Sequence, residues 1–461
     1  MKSIQKMMIS GKEVYPIIEG GKGVGITNGE TAGAFAAAGA VGTFSGVHAL
    51  LYDEEGNYVP MDLKGKNRLE RTRERIEYAI KGALSQIRIA HNKSNGNGRI
   101  HMNLLWGMMG TEEIIRRVLE QAEGKLHGVT CGAGMPYQLG EICAEHKTYY
   151  YPIVSSARAF MVLWKRAYNK HPEWLGGVVY EDPWKAGGHN GLSNKENPEK
   201  PEPPYERVVE LRKMMDRFGL QEVPIVMAGG VWTIDEFKDW IDNPEIGKIA
   251  FQLGTRPLLT QESPIPDAFK QKLLNLQPED ITLNKFSPTG FYSSAIINDF
   301  LKEQFAMSDR QVEFKKEQDD EFEIPNGRYF IKKEDKERVT SWIESGFTEG
   351  LRTPDDTLMY VSEDKAKQIK ADQQGCSGCL AACKFSSWAA SEEHRFTTGN
   401  RMDPRSFCIM NTLQYLVDDK DAEKQLMFAG HSAFRFQKDP LYKDGYIPSV
   451  KELVSQLVQF K

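Results

Sequence analysis

The 461-residue chain is 40% hydrophobic and 27% charged, the composition of an ordinary globular protein that can bury a sizeable core, and it exceeds the usual length of one domain. Its formal net charge of −5 gives no basic footprint for nucleic acid or for an anionic membrane surface. The opening MKSIQKMMISGKEVYP lacks the apolar stretch of a signal peptide, and no run approaches the ~18 apolar residues of a membrane span, so the reading is a cytoplasmic protein with neither nucleic acid nor membrane as partner.

From residue 14 to about 260 short apolar runs alternate with longer amphipathic stretches, the pattern of parallel strands joined by crossover helices. Strands are expected at 14–18, 41–45, 100–105, 127–131, 150–154, 176–181, 223–228 and 248–253. Helices are expected between them at 29–38, 67–91, 111–122, 136–146, 157–169, 204–218 and 233–242. Eight strands apolar on both faces fit a closed (β/α)8 TIM barrel, with an open doubly wound sheet as the rival. Gly-rich or polar loops follow most of the strands, as GGKGVG, SGVH, WGMMG, CGAG, AGG and LGTR, and a site spread around all strand ends favours the barrel.

After about residue 270 the character changes. The segment 301–338 alternates in charge and reads as a solvated insertion, and the chain then regains amphipathic character and closes on VKELVSQLVQF, a terminal helix with one apolar face. The expected organisation is a barrel over 1–270 and, over 271–461, a charged insertion followed by a mainly helical C-terminal region carrying a cysteine cluster.

Three loops carry candidate chemistry. Gly229 and Gly230 follow the strand VPIVM, and Gly254 and Thr255 follow IAFQ; glycines there let backbone N–H groups approach an anion, and the last two βα loops of a barrel commonly hold phosphate. A tight turn is the plainer explanation of Gly229–Gly230 taken alone. In the first loop Gly20, Gly21 and Gly23 would bring backbone against a flat ring, whereas the dinucleotide fingerprint is matched only loosely. His189, in AGGHNG after the strand GVVYE, is the natural general base, an imidazole titrating near neutrality at a strand's C-terminal end; a surface loop histidine is the bland alternative.

The segments PIIEGGKGVG, HMNL, CGAGMP, SSARA, AGGHNG, MAGGVWT and QLGTRPLLTQES occur in that order over about residues 14–264. Together they resemble the nitronate monooxygenase family, once called 2-nitropropane dioxygenases. The resemblance implies an FMN across the barrel mouth with its phosphate on Gly229, Gly230, Gly254 and Thr255. It places Gly21, Lys22, Asn103, Glu181, Gly187, Gly188 and Gln252 around the flavin and makes His189 the catalytic histidine, which deprotonates a nitroalkane or positions its anion. The implied reaction consumes dioxygen and yields a carbonyl compound and nitrite. Two departures stand out. Lys22 replaces the methionine of many relatives, bringing a cation that could alter the flavin's redox potential. The loop after Glu181 is one residue longer, which leaves Glu181 and Asp182 as alternatives for one position. SPTGFYSSAI, at 287–296, is similar to a segment near the substrate in relatives and is carried as a pocket wall.

Three of the six cysteines, Cys376, Cys379 and Cys383, form C-x2-C-x3-C, with Cys408 as a fourth thiol further along. Three readings stay open: an iron–sulfur cluster, similar to the segment in flavin-dependent dienoyl-CoA reductases; zinc, although neither His394 nor His431 has finger-like spacing; and plain thiols on one helix face. Cys131, at a strand end before GAGMP, is read as a small buried hydrophobe, with a place in the pocket wall as the alternative. Trp106, Trp184 and Trp232 are read as pocket wall or as core packing.

The expected function is therefore FMN-dependent oxidation of alkyl nitronates. The alternative is an FMN-dependent enoyl reductase that uses NAD(P)H and acts on enoyl thioesters, for which the charged segment would dock a carrier protein. A homodimer is admitted in either case.

Overall fold

The protein is described from a computed structural model covering residues 2–193, 195–317, 321–323, 329–386, 401–418 and 420–460. His394 and part of the charged segment lie outside the described residues.

Eight parallel strands close a barrel: β1 (Ile17–Glu19), β2 (Val41–Ser45), β3 (Arg99–Leu105), β4 (Gly128–Gly132), β5 (Tyr149–Val154), β6 (Val178–Glu181), β7 (Ile225–Ala228) and β8 (Ile249–Leu253). Each strand pairs with its neighbour in sequence, and Gln252 beside Ile18 closes the ring between β8 and β1. The open-sheet alternative is thereby removed. Every residue of β2, β4 and β7 is buried because one face meets the helices and the other the barrel interior, which is why these strands read as continuous apolar runs.

The interior is packed by Ile18, Val41, Tyr151, Val179, Val226 and Ala250. Ile9 and Val14 join that cluster from a hairpin, Met7–Ile9 with Lys12–Val14, that precedes the barrel and closes its N-terminal end. Between the strands run α1 (Gly29–Ala37), α2 (Arg68–Ser94), α3 (Thr111–Gln121), α4 (Leu139–Glu145), α5 (Ala157–Arg166) and α6 (Pro204–Arg217). Several start at the side chains the sequence offers as caps: Asn28 accepts from Thr31 N at 3.0 Å and Asn67 from Glu70 N at 2.9 Å. The segment expected as a helix at 233–242 forms a 3-10 turn, Ile234–Trp240. Asp242 adopts φ 60° and Pro244 follows within two residues, so the chain has no room for further α turns.

The C-terminal region contains helices and also sheet. After α7 (Asp267–Leu274) the strands Ile281–Asn284 and Ser293–Ile296 pair with each other, and the second pairs with Gly188–His189 from the sixth βα loop. Beyond α8 (Asp299–Asp309) a five-stranded antiparallel sheet includes Gln311–Lys315, Phe330–Lys332 and Thr357–Val361. It encloses its own core of Val312, Phe314, Ile331, Val339, Leu358 and Tyr360. In this segment the charges dominate composition, but Val312 and Phe314 alternate with Glu313 and Lys315, the period of a half-buried strand. α9 (Lys336–Glu344), α10 (Glu363–Gln374), α11 (Ile409–Val417) and α12 (Val450–Val458) follow. α12 returns to pack on α1, and Gln459–Phe460 pairs with Lys2–Ser3.

A buried ion pair fastens this region to the barrel. Arg256, just after β8, donates to Asp439 at 2.9 Å, to Gln456 at 2.7 Å and to the Trp232 carbonyl at 2.7 Å. Trp232 Nε1 donates to the same Asp439 oxygen at 2.8 Å. Among the described residues no helix is long and apolar enough to cross a membrane.

Candidate active site

The C-terminal ends of the strands open into one cavity of about 220 Å³. Gly21, Lys22, Asn103, Glu181, Gly187, Gly188, His189, Gln252, Gly254 and Thr255 all line it, so the structure brings together every candidate site residue except Gly229 and Gly230. Those two sit at the end of β7 against the sixth loop, where a Cβ on Gly229 would meet Asp182 at 2.9 Å and one on Gly230 would meet the Lys185 side chain at 2.7 Å. Both adopt positive φ, 85° and 80°, so the glycines are required by close packing and by backbone conformation.

The glycines that do line the cavity differ in what they allow. A Cβ on Gly21 would lie 2.3 Å from Asn103 Cβ, and one on Gly187 would lie 2.6 Å from Gly430 N. At Gly254 nothing stands within 4 Å of that position; its backbone faces free volume, as a flat or phosphate-bearing ligand needs. Beside it Thr255 Oγ1 accepts from Gly430 N at 2.9 Å, so the eighth loop is held by the C-terminal region.

Two acid groups at the mouth both have pKa values raised by burial and differ in their hydrogen-bond partners. Glu181 lines the cavity, and burial, with the Asp182 charge adding to it, pushes its carboxyl up to about 7. Asp182 instead accepts from the backbone of Trp184 at 2.9 Å and of Lys185 at 3.0 Å, as an Asx turn shaping the loop. Of the two alternatives, Glu181 is the one that faces the site. In the first loop Lys22 Nζ donates to the Gly20 carbonyl at 2.6 Å and lies 4.0 Å from Glu19 Oε1. Desolvation lowers the lysine's pKa and raises that of the glutamate, and Glu19 Oε1 is buried without a hydrogen-bond partner.

His189 hydrogen-bonds through Nε2 to Ser287 Oγ at 2.5 Å, and Ser287 Oγ lies 3.0 Å from Thr289 Oγ1. Phe428 packs edge-on against the ring at 5.2 Å. Burial lowers the pKa of the imidazole to about 4, so it is neutral at pH 7. The segment expected as a pocket wall thus does more: Ser287 orients His189, Thr289 lines the cavity, and Ser293–Ile296 pairs with the histidine's own strand.

Sequence reasoning missed the roof. Phe269, Leu413, Leu416, Leu426 and Phe428 cover the mouth together with Met410, all from residues beyond the barrel. Only the amphipathic run IMNTLQYLV of α11 marks them in the sequence. Cys131, Trp106, Trp184 and Trp232 are not part of the wall. Cys131 is fully buried in β4, Trp184 donates to the Asn197 carbonyl at 2.9 Å, and Trp106 packs at Gly134.

A closed parallel barrel whose mouth combines glycine-lined free volume, a neutral histidine and an acid with a raised pKa is the architecture of a TIM-barrel enzyme with room for a cofactor at its strand ends. The family model for nitronate monooxygenase matches residues 5–459, and the chain belongs to that family of flavin-dependent oxidoreductases. FabK from Thermotoga maritima is similar in structure at 14% identity and a TM-score of 0.53, over 96% of this chain and 91% of that one. The enoyl reductase domain of MlnA from Bacillus amyloliquefaciens is similar at 12% identity and a TM-score of 0.54, over 96% and 93%. At these identities the likeness is one of fold. A search of curated proteins finds no match to the sequence.

Proposed function

We propose that the protein oxidises alkyl nitronates with dioxygen, using FMN bound across the barrel mouth. The observation that carries this reading is His189, a neutral imidazole facing the same cavity as the glycine loops and fixed there by Ser287. An imidazole whose conjugate acid lies at about 4 is a poor acceptor for a carbon-bound proton, yet it keeps its hydrogen-bonding capacity across the neutral range. The preferred substrate is therefore the preformed nitronate anion rather than the neutral nitroalkane, with His189 hydrogen-bonding its oxygens. Lys22 adds a positive charge at the same wall, in keeping with an anionic substrate.

The residues fit the cofactor. Gly21, Asn103, Glu181 and Gln252 would hold the flavin ring, and Gly254 and Thr255 its phosphate, with Gly229 and Gly230 keeping the seventh loop close behind. Bound FMN supplies the electron transfer from the nitronate to dioxygen, giving a carbonyl compound and nitrite. The roof of Phe269, Leu413, Leu416 and Leu426 excludes water from that chemistry.

The test is anaerobic mixing of the purified yellow protein with an alkyl nitronate, followed by admission of oxygen. Bleaching of the flavin band and then nitrite release are expected, faster than with the parent nitroalkane at the same pH. A flavin left oxidised by several nitronates would overturn the reading. The apolar roof also supports a second one, reduction of an enoyl thioester delivered by a carrier protein. Flavin bleaching by NADH or NADPH, reversed by an enoyl thioester, would select it.

A further inference from the structure

The cysteine motif is left unused by the barrel-mouth chemistry. Residues 376–385 form an irregular loop rather than a helix, so Cys379 and Cys383 do not share a helix face. Their surroundings are built with care. From α2, Arg71 Nε donates to the Cys376 carbonyl at 3.1 Å, and the Ser377 carbonyl accepts from Thr72 Oγ1 at 3.0 Å and from Arg75 Nε at 3.4 Å. On the barrel side Ala381 N donates to the Gly107 carbonyl at 2.9 Å, and Met109 N to the Cys379 carbonyl at 3.3 Å. Thus the loop is clamped between α2 and the end of β3.

Clamped this way, the loop turns its thiols onto one place. Cys376, Cys379, Cys383 and Cys408, the last at the start of α11, all line a cavity of about 340 Å³. Each of the six pairs among them is close enough to interact electrostatically. None is joined in a disulfide. Backbone amides point at the sulfurs, Gly378 N to Cys376 Sγ at 3.4 Å and Ser386 N to Cys383 Sγ at 3.4 Å, as they do where sulfur carries negative charge. Among the described residues no three histidine, cysteine or acidic side chains close around a point as a single ion requires. The four thiols instead line one cavity together.

We propose that Cys376, Cys379, Cys383 and Cys408 bind an iron–sulfur cluster beside the flavin site. Four cysteine thiolates are the usual ligand set of such clusters. Cys379 lines the barrel-mouth cavity as well as this one, as do Ile409 and Met410, so the two share a wall. The buried guanidinium of Arg75, close to Cys376 and Cys379, offsets part of the negative charge that four thiolates bring.

The experiment is anaerobic purification of the full chain, with measurement of iron, acid-labile sulfide and flavin and an electron paramagnetic resonance spectrum after dithionite. Iron and sulfide in equal amounts and a cluster signal are expected. Both should fall to background in Cys408→Ser with flavin content kept, and both should persist in Cys143→Ser, whose thiol lies on α4. Reconstitution of the wild-type chain with ferrous iron and sulfide decides the matter if the variant fails to fold. Zinc without sulfide, or a wild-type chain that takes up no iron on reconstitution, overturns the proposal. The readout is independent of nitrite release, so failure of the cluster and failure of the nitronate reading are separate results.

Discussion

The two ends of the barrel carry the same pair of groups to different ends. At the mouth His189 shares a hydrogen bond with Ser287 at 2.5 Å, and at the closed end His101 shares one with Ser10 at 2.9 Å. Both rings are pushed to low pKa by burial, to about 4 and about 3. What separates them is what lies beside the ring. His101 meets Tyr151 at 4.7 Å between ring centres under the N-terminal hairpin, and its second neighbour is protein on every count: a Cβ on Gly128 would lie 2.7 Å from the imidazole. His189 faces a cavity. A perturbed titratable group therefore marks burial, and it marks a site only where glycine loops leave room for a ligand.

The largest effect expected from this comparison is on turnover. His189→Ala should lower kcat/KM for a nitronate by about 10²–10³-fold, roughly 3–4 kcal/mol, with flavin content unchanged. Steady-state nitrite assays check it, and a variant within twofold of wild type would place the closed and open ends on equal footing. Next comes Glu181, which has no counterpart at the closed end. Its carboxyl is raised in the folded state from 4.5 to about 7, so the stability it allows is fully present below the unfolded-state pKa and is lost as pH rises towards 7. The penalty reaches about 3 kcal/mol at 1.36 kcal/mol per unit. Glu181→Gln should therefore stabilise the flavin-free protein above pH 7 and leave it unchanged near pH 4, as read by denaturant titration at both. A gain of equal size at both pH values would mean that the carboxyl is not the cause.

At the closed end His101→Ala should cost about 2 kcal/mol of stability, since it removes the imidazole bonded to the buried Ser10 hydroxyl and the ring packed against Tyr151. Here kcat/KM should hold. Chemical denaturation beside a nitrite assay separates the two outcomes, and lost turnover with intact stability would contradict the division of labour.

Much of this was legible in the sequence where one physical signal dominated. The eight strands were visible because both faces of each are buried. Gly21 and Gly254 stood out as glycines in loops at strand ends, whereas Gly187 came only with the family resemblance. Three things were hidden. The five-stranded sheet lay under its charges, since Glu313 and Lys315 drew more notice than the alternation of Val312 and Phe314. The roof is formed by residues such as Leu413 and Phe428, whose apolar character is that of any core residue until the chain has folded back over the barrel. The partner of His189 lies 98 positions away, a distance that no local pattern reports.

That long-range partner gives the finest test of the comparison. Ser287 and Ser10 each bond an imidazole, and Ser10 also bonds the Tyr151 hydroxyl at 2.7 Å; each bond lost should cost about 1 kcal/mol, but in different quantities. In Ser287→Ala the imidazole loses the group that fixes its ring, and the cost should fall on kcat/KM, about fivefold, with the denaturation midpoint near that of wild type. In Ser10→Ala the cost should fall on the folding free energy and spare turnover, because the bonds there only join the hairpin to His101 and Tyr151 at the barrel floor. Measuring both quantities on both variants gives a crossed result if the mouth uses its histidine and the floor does not. Two variants that shift stability alike and turnover not at all would mean that Ser287 is packing, and that His189 is held in place by Phe428 and the strand pairing of Gly188 with Ser294.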